Sequence, residues 1–197
     1  MIKRELYMNR IRPFIGGELI KVMTGIRRSG KSVMLELIKE ELAEAGVAPS
    51  QMISINFEDM RYSHLQTATA LHDEIIKRAE GIEGKAYLFF DEIQEVEGWE
   101  KCVNSLRVAL DCDIYITGSN AKLLSGELAT YIGGRYVEFV IYPFSFAEFL
   151  ELYHTIAPSD SIQQCFQKYL LAGGMPYLAN LRYEEEPSRQ YLTDLFN

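Results

Sequence analysis

Cysteine is scarce in this chain. Cys102, Cys112 and Cys165 are the only three, and no two stand in a C-x-x-C pair, which excludes a disulfide framework or a cysteine zinc site of the usual spacing. His64, His72 and His154 lack ligand spacing as well. No run of about 18 apolar residues occurs, so no membrane-spanning helix is expected. Lys3 and Arg4 are not followed by an apolar stretch. An export signal is therefore not expected, and a cytoplasmic location is the default expectation. An excess of positive charge is absent too. The formal net charge is −8, which gives no support to nucleic acid as a partner. The basic residues of the first segment, Lys3, Arg4, Arg10 and Arg12, are expected to be solvated surface.

What is present is an ordinary globular composition, 48% hydrophobic and 24% charged over 197 residues, enough for one domain and the start of another. Apolar β-branched runs alternate with helical periodicity, which predicts an α/β fold around a parallel sheet. Strands are expected near Leu19–Thr24, Met52–Phe57, Ala86–Phe90, Asp113–Thr117 and Tyr136–Tyr142. The third is almost wholly apolar, as a strand buried on both faces would be. Between them, Leu35, Ile38, Leu42 and Ala45 recur at helical spacing. Ser63 with Gln66, Ser145 with Glu148 and Ser161 with Gln164 read as capping boxes at helix starts. Helices are also predicted from Trp99 to Leu110 and from Ala121 to Leu128. Trp99 is expected to pack in the core. A last helix follows the acidic turn Glu184–Glu186, which reads as solvated. The sequence stops within an apolar pattern (Tyr191, Leu192, Leu195, Phe196), so a longer protein is expected.

The strongest chemical signal is Gly25-Ile26-Arg27-Arg28-Ser29-Gly30-Lys31-Ser32, which fits G-x-x-x-x-G-K-[ST] between a strand and a helix. Glycines let successive N–H groups turn inward onto phosphate, and the helix that follows adds its positive end. Lys31 would place a cation on the β- and γ-phosphates, and Ser32 would offer a hydroxyl to Mg2+. The second signal is the apolar run Tyr87–Phe90 ending in Asp91-Glu92. Beside a phosphate loop, such an aspartate holds magnesium, and Glu92 is either the base for an attacking water or a surface acid. The third is Ile114–Asn120, a strand ending in small polar residues. Thr117, Ser119 or Asn120 could reach the γ-phosphate, or Ser119 or Asn120 could cap a helix. The fourth is Gly133-Gly134-Arg135: Arg135 could stabilise transition-state charge, within the chain or on a neighbouring subunit, or be a surface arginine. Arg27 and Arg28 default to exposed loop residues. Glu58 and Asp59 close the second strand, where an indirect role near magnesium is open.

Taken together, GIRRSGKS, YLFFDEIQ followed by GWE, ITGSN, GGR, YPFSFAEF and LAGGMP stand in this order. The series resembles the AAA-type ATPases of bacteria and archaea that carry an uncharacterised C-terminal region. The resemblance implies a three-layer P-loop sandwich with a central parallel five-stranded sheet, in which the ITGSN strand separates the acidic strand from the loop strand. It implies an ATPase core over 1–155 and a helical segment over 156–197, either a lid or the start of a C-terminal region. It also implies Lys31, Ser32, Asp91 and Glu92 as the nucleotide motifs, a polar sensor at Ser119 or Asn120, and Arg135 as the arginine of the family's GR. ATP and Mg2+ are the expected ligands, and the absence of an N-K-x-D guanine-reading motif points the same way. The expected partners are a homo-oligomer, a protein partner or a further C-terminal domain. Two other readings stand beside ATP hydrolysis: a nucleotide-dependent switch with little turnover, and a P-loop kinase, against which Glu92 beside Asp91 argues.

Overall fold

The computed structural model describes residues 2–118 and 132–196. It forms two compact units. One comprises Glu5–Ile26 and Lys31–Ile141, the other Met1–Arg4, Arg27–Gly30 and Tyr142–Asn197.

The larger unit is built on five strands: β1 (Ile20–Thr24), β2 (Met52–Asn56), β3 (Ala86–Asp91), β4 (Cys112–Thr117) and β5 (Tyr136–Val140). Their order is β2-β3-β4-β1-β5, and all four pairings are parallel. The central strands are buried nearly throughout, whereas the edge strands β2 and β5 are only partly so. The central strands therefore read as mostly apolar runs, with Lys21 of β1 and Asp113 of β4 paired inside them.

Successive side chains fall on opposite faces of the sheet. Val22, Leu88, Phe90, Ile114 and Ile116 meet Leu71 and Ile75 of α3 (Ala68–Ala79) and Val103 and Leu106 of α4 (Trp99–Ala109). Met23, Phe89 and Tyr115 meet Tyr7, Met8 and Ile11 of α1 (Glu5–Ile11) and Met34, Leu35, Ile38 and Leu42 of α2 (Lys31–Glu44). This is the three-layer α/β sandwich expected, with β4 between the acidic strand β3 and the loop strand β1. Trp99 is buried in the first of these cores.

The smaller unit packs α5 (Phe146–Tyr153), α6 (Ile162–Ala172) and α7 (Glu185–Phe196) around Phe149, Cys165, Leu178 and Tyr183. The Ser145/Glu148 and Ser161/Gln164 capping boxes form as predicted. Ser63/Gln66 does not. There Asp59 caps a short 3-10 turn (Met60–Tyr62), and Thr67 caps α3 by accepting from the Ala70 amide. Thr67 lies one residue before the first helical position, where a β-branched hydroxyl caps well. The predicted helix at 121–128 lies outside the described residues.

Candidate nucleotide site

In a parallel sheet the carboxyl ends of all strands share one edge, so the chemistry at the ends of β1, β3 and β4 is gathered together. β1 ends at Thr24 and α2 begins at Lys31. Between them Gly25 has φ 146° and Gly30 φ 102°, values side-chain-bearing residues rarely adopt, while Arg28 takes φ 63°. Lys31 is buried, and its ammonium donates to the Gly25 and Ile26 carbonyls at 3.5 and 3.4 Å. It also lies 3.5 Å from Glu92 Oε1.

Asp91 is the hub. Ser32 Oγ donates to its Oδ1 at 3.0 Å, Asn56 Nδ2 donates to its Oδ2 at 3.2 Å, and Thr117 Oγ1 donates to Oδ1 as well. Burial raises the Asp91 pKa above the ordinary carboxylate value. The Thr117 and Ser32 hydroxyls pull against that, and the neighbouring Glu92 charge adds to it. A cation at this carboxylate would relieve the strain of ionising there. Thr117 serves twice, because its Oγ1 also accepts the Glu92 amide at 2.9 Å. Glu92 sits in the left-handed region (φ 55°, ψ 49°), and its carboxylate takes Gln94 Nε2 at 2.6 Å. A non-glycine residue held there is backbone strain of the sort found at functional sites.

These residues fit a magnesium nucleotide. Ser32 and Asp91 converge as hard oxygen donors, and Lys31 stands beside them. Among the described residues no group of three or more His, Cys, Asp or Glu could hold a metal unaided.

Other expected site residues fall elsewhere. Ser119 and Asn120 lie outside the described residues. Arg135 precedes β5, which pairs Ile20–Thr24 along its whole length, so it lies at the opposite edge of the sheet from Gly25. Five strand residues separate those edges by roughly 16 Å, and Arg135 instead donates to Asn104 Oδ1 at 2.9 Å. A role for Arg135 on its own chain's nucleotide is thereby set aside. Arg27 is exposed, as expected. Arg28 lies over the rings of Tyr191 and Tyr177, at 5.5 and 6.0 Å from their centroids. Ser29 is buried, and its hydroxyl has no partner among the described residues. Asp59 is engaged by Arg61, and the Glu58 amide donates to Asn56 Oδ1, so it is Asn56 that reaches Asp91. Arg4, expected at the surface, is buried. Sequence reasoning passed over Asn56, gave Gln94 no role and placed Arg4 at the surface. For Asn56 the signal was available, since it is the last residue of a strand that ends at the acidic edge.

A sequence model described as an AAA domain matches residues 18–150. An uncharacterised protein of Haemophilus influenzae is 44% identical over 176 residues, covering 89% of this chain and 44% of that protein. An uncharacterised protein of Methanocaldococcus jannaschii is 34% identical over 189 residues, covering 90% of this chain and 41% of that protein. The chain thus spans less than half the length of these curated relatives. Two solved structures share the fold. The Aeropyrum pernix ORC1 protein, determined in complex with DNA, has a TM-score of 0.54 at 16% identity over 98% of this chain and 66% of its own. A P216G mutant of Thermotoga maritima RuvB has a TM-score of 0.58 at 16% identity over 98% of this chain and 62% of its own. With its phosphate loop, its acidic strand and the strand between them in this order, the chain belongs to the family of AAA-type P-loop ATPases.

Proposed function

We propose that this chain binds ATP with Mg2+ and hydrolyses it, and that the cycle drives conformational change in an attached or partner domain. The observation that carries the reading is the convergence of Lys31, Ser32, Asp91 and Glu92 at one sheet edge. Loop amides and Lys31 bind phosphate oxygens. Ser32 and Asp91 hold the metal, which when bound neutralises charge on the β- and γ-phosphates. Glu92 orients water and takes its proton as the oxygen attacks the γ-phosphorus, and the bond to the β-bridging oxygen breaks to release ADP. Phosphate would compete with Glu92 for Lys31, so substrate binding itself would free the base. Ser119 or Asn120 would sense the γ-phosphate. Arg135 is left to act on the nucleotide of a neighbouring subunit. Residues 156–197 would serve as a lid or as the lead into the further region that the longer relatives carry.

A second reading, a nucleotide-binding switch with little turnover, is favoured by one observation: Gln94 and Lys31 both occupy the Glu92 carboxylate. Phosphate release from ATP, with and without magnesium and across protein concentrations, separates the two. Turnover lost in both Lys31→Ala and Glu92→Gln supports hydrolysis at this site, and a steep concentration dependence supports a shared Arg135. Tight ATP binding without release, abolished by Lys31→Ala, supports the switch.

A further inference from the structure

Arg4 is an arginine in a place where arginine is expensive. It is 2% exposed, and its backbone takes φ 47°, the left-handed region that a side chain disfavours. Its guanidinium is fully engaged. Nε donates to Glu148 Oε1 at 2.8 Å, Nη2 donates to the Tyr142 carbonyl at 2.8 Å, and Nη1 donates to the Ser29 carbonyl at 3.0 Å. The Phe144 ring lies 5.1 Å from its central carbon. Stability alone is a poor reason for such a group, because a buried ion pair can often be replaced by well-packed apolar residues at no loss. Of the polar contacts that an apolar residue could not reproduce, the one that reaches the phosphate loop is the one to Ser29.

Ser29 belongs to the phosphate loop. Where such a loop turns its N–H groups inward onto an anion, a carbonyl facing away from the anion needs a donor of its own, and the Ser29 carbonyl faces Arg4. Ser29 is fully buried, so its outward carbonyl has no water to take and needs a protein donor. Arg4 is that donor. Gly30 is fitted to the same contact: a Cβ there would come within 3.3 Å of Arg4 Nη1, and its φ of 102° excludes most side chains. Glu148 completes the chain of dependence. Its Oε2 accepts from the Ser145 amide and hydroxyl in the capping box of α5, at 2.8 and 2.9 Å, while Oε1 fixes the guanidinium.

We infer that Arg4 is a positioning residue of the phosphate loop: anchored by Glu148, it holds the Ser29 carbonyl outward and so sets the loop amides for phosphate. The motif FSFAEF, which the hydrolysis scheme leaves without a role, thereby acquires one: it supplies the carboxylate that aims Arg4. The inference rests on reading residues 25–32 as the nucleotide's phosphate loop.

The test is titration of a fluorescent N-methylanthraniloyl ATP with magnesium into the wild type, Arg4→Met, Arg4→Lys, Arg4→Ala and Lys31→Ala, each checked for folding by thermal melting. Arg4→Met should bind about tenfold or more weakly, the scale of one charge-assisted hydrogen bond. Arg4→Lys keeps the charge but not the planar fork, so it should fold and still bind weakly. Adding millimolar ethylguanidinium to Arg4→Ala should recover affinity, which a merely stabilising side chain would not allow, and should leave Lys31→Ala unchanged. Wild-type affinity in folded Arg4→Met and Arg4→Lys, with binding abolished in Lys31→Ala, overturns the inference and leaves the nucleotide site standing. No binding by the wild type overturns both.

Discussion

At the amino end of β1 and β4, opposite the phosphate loop, lies a polar cluster whose removal gives a sharp test of how the loop strand is held. Lys21 and Asp113 are both fully buried and paired. Asp113 Oδ2 also accepts from the Gly16 amide at 2.6 Å and the Tyr115 hydroxyl at 2.7 Å. One carboxylate therefore ties the turn before β1 to the strand that β1 pairs with, Lys21 lying opposite Tyr115 in the register. Asp113→Ala strands the other members. Breaking a buried pair costs about 3–5 kcal/mol, and an unsatisfied buried hydroxyl at Tyr115 adds about 1–3 kcal/mol. Gly16 is exposed, so water can serve its amide. Lys21 limits the total, because burial already lowers its pKa against the opposing pull of Asp113, and it can shed its proton. A loss of about 4–6 kcal/mol is expected, against a total stability of about 5–15 kcal/mol. The triple variant Lys21→Met/Asp113→Leu/Tyr115→Phe removes all three polar side chains at once and should return to within about 2 kcal/mol of wild type. Urea denaturation followed by circular dichroism measures all of these. A loss below about 1 kcal/mol in Asp113→Ala, the level of an unremarkable substitution, would refute the reasoning. So would a triple variant as unstable as the single one.

Three further outcomes are expected. Thr117→Val keeps the shape of the side chain but removes the donor to Asp91 and the acceptor of the Glu92 amide. Steady-state phosphate release should fall roughly 10- to 100-fold, the value of a hydrogen bond to a charged group, with affinity for the nucleotide analogue little changed; unchanged turnover would deny Thr117 its role. Gly174→Ala would place a Cβ 2.1 Å from the Phe144 carbonyl oxygen, a backbone atom that itself accepts from Tyr169. Overpacking of this kind costs about 3 kcal/mol or more, and limited proteolysis should show early cleavage beyond residue 142, whereas wild-type resistance would contradict the packing described. For Glu148, burial raises the pKa, but the hydrogen bonds from Arg4 and Ser145 outweigh it and leave the group below its ordinary value. Its stabilising contribution is thus present above the ordinary glutamate pKa of about 4.3 and is lost as pH falls through the lower folded value. Thermal melts of Glu148→Gln should lack that acid-dependent component, and an identical acid slope in the variant would count against the pairing.

The sequence made the sheet legible because both faces of β1, β3 and β4 are covered, and that burial writes itself as mostly apolar runs, interrupted inside β1 and β4 only by the paired Lys21 and Asp113. It made the phosphate loop legible because glycine, lysine and a hydroxyl are each demanded at a fixed offset by one short piece of backbone. What it hid is of another kind. Thr117 Oγ1 joins residues 91 and 92 from another strand, and Asn56 reaches Asp91 from a third. Neither link has a spacing, because it is made across the sheet and not along the chain. Ser63/Gln66 shows the converse failure: the local pattern was right for a cap, yet Asp59 and Thr67 had the better positions once the strand before them fixed where the chain turned. For Arg135 only the reading within its own chain is set aside, for a geometric reason open to anyone who fixes strand direction. A residue that precedes a parallel strand cannot share an edge with a loop that follows its neighbour. Arg4 is the instructive case, because an arginine four residues from the start of the sequence has every statistical reason to be solvated. The neighbours that fold around it, Glu148 and the Ser29 and Tyr142 carbonyls, make burial tolerable, and the first two are supplied by motifs whose own local reading, a helix cap and a phosphate loop, was already complete without it.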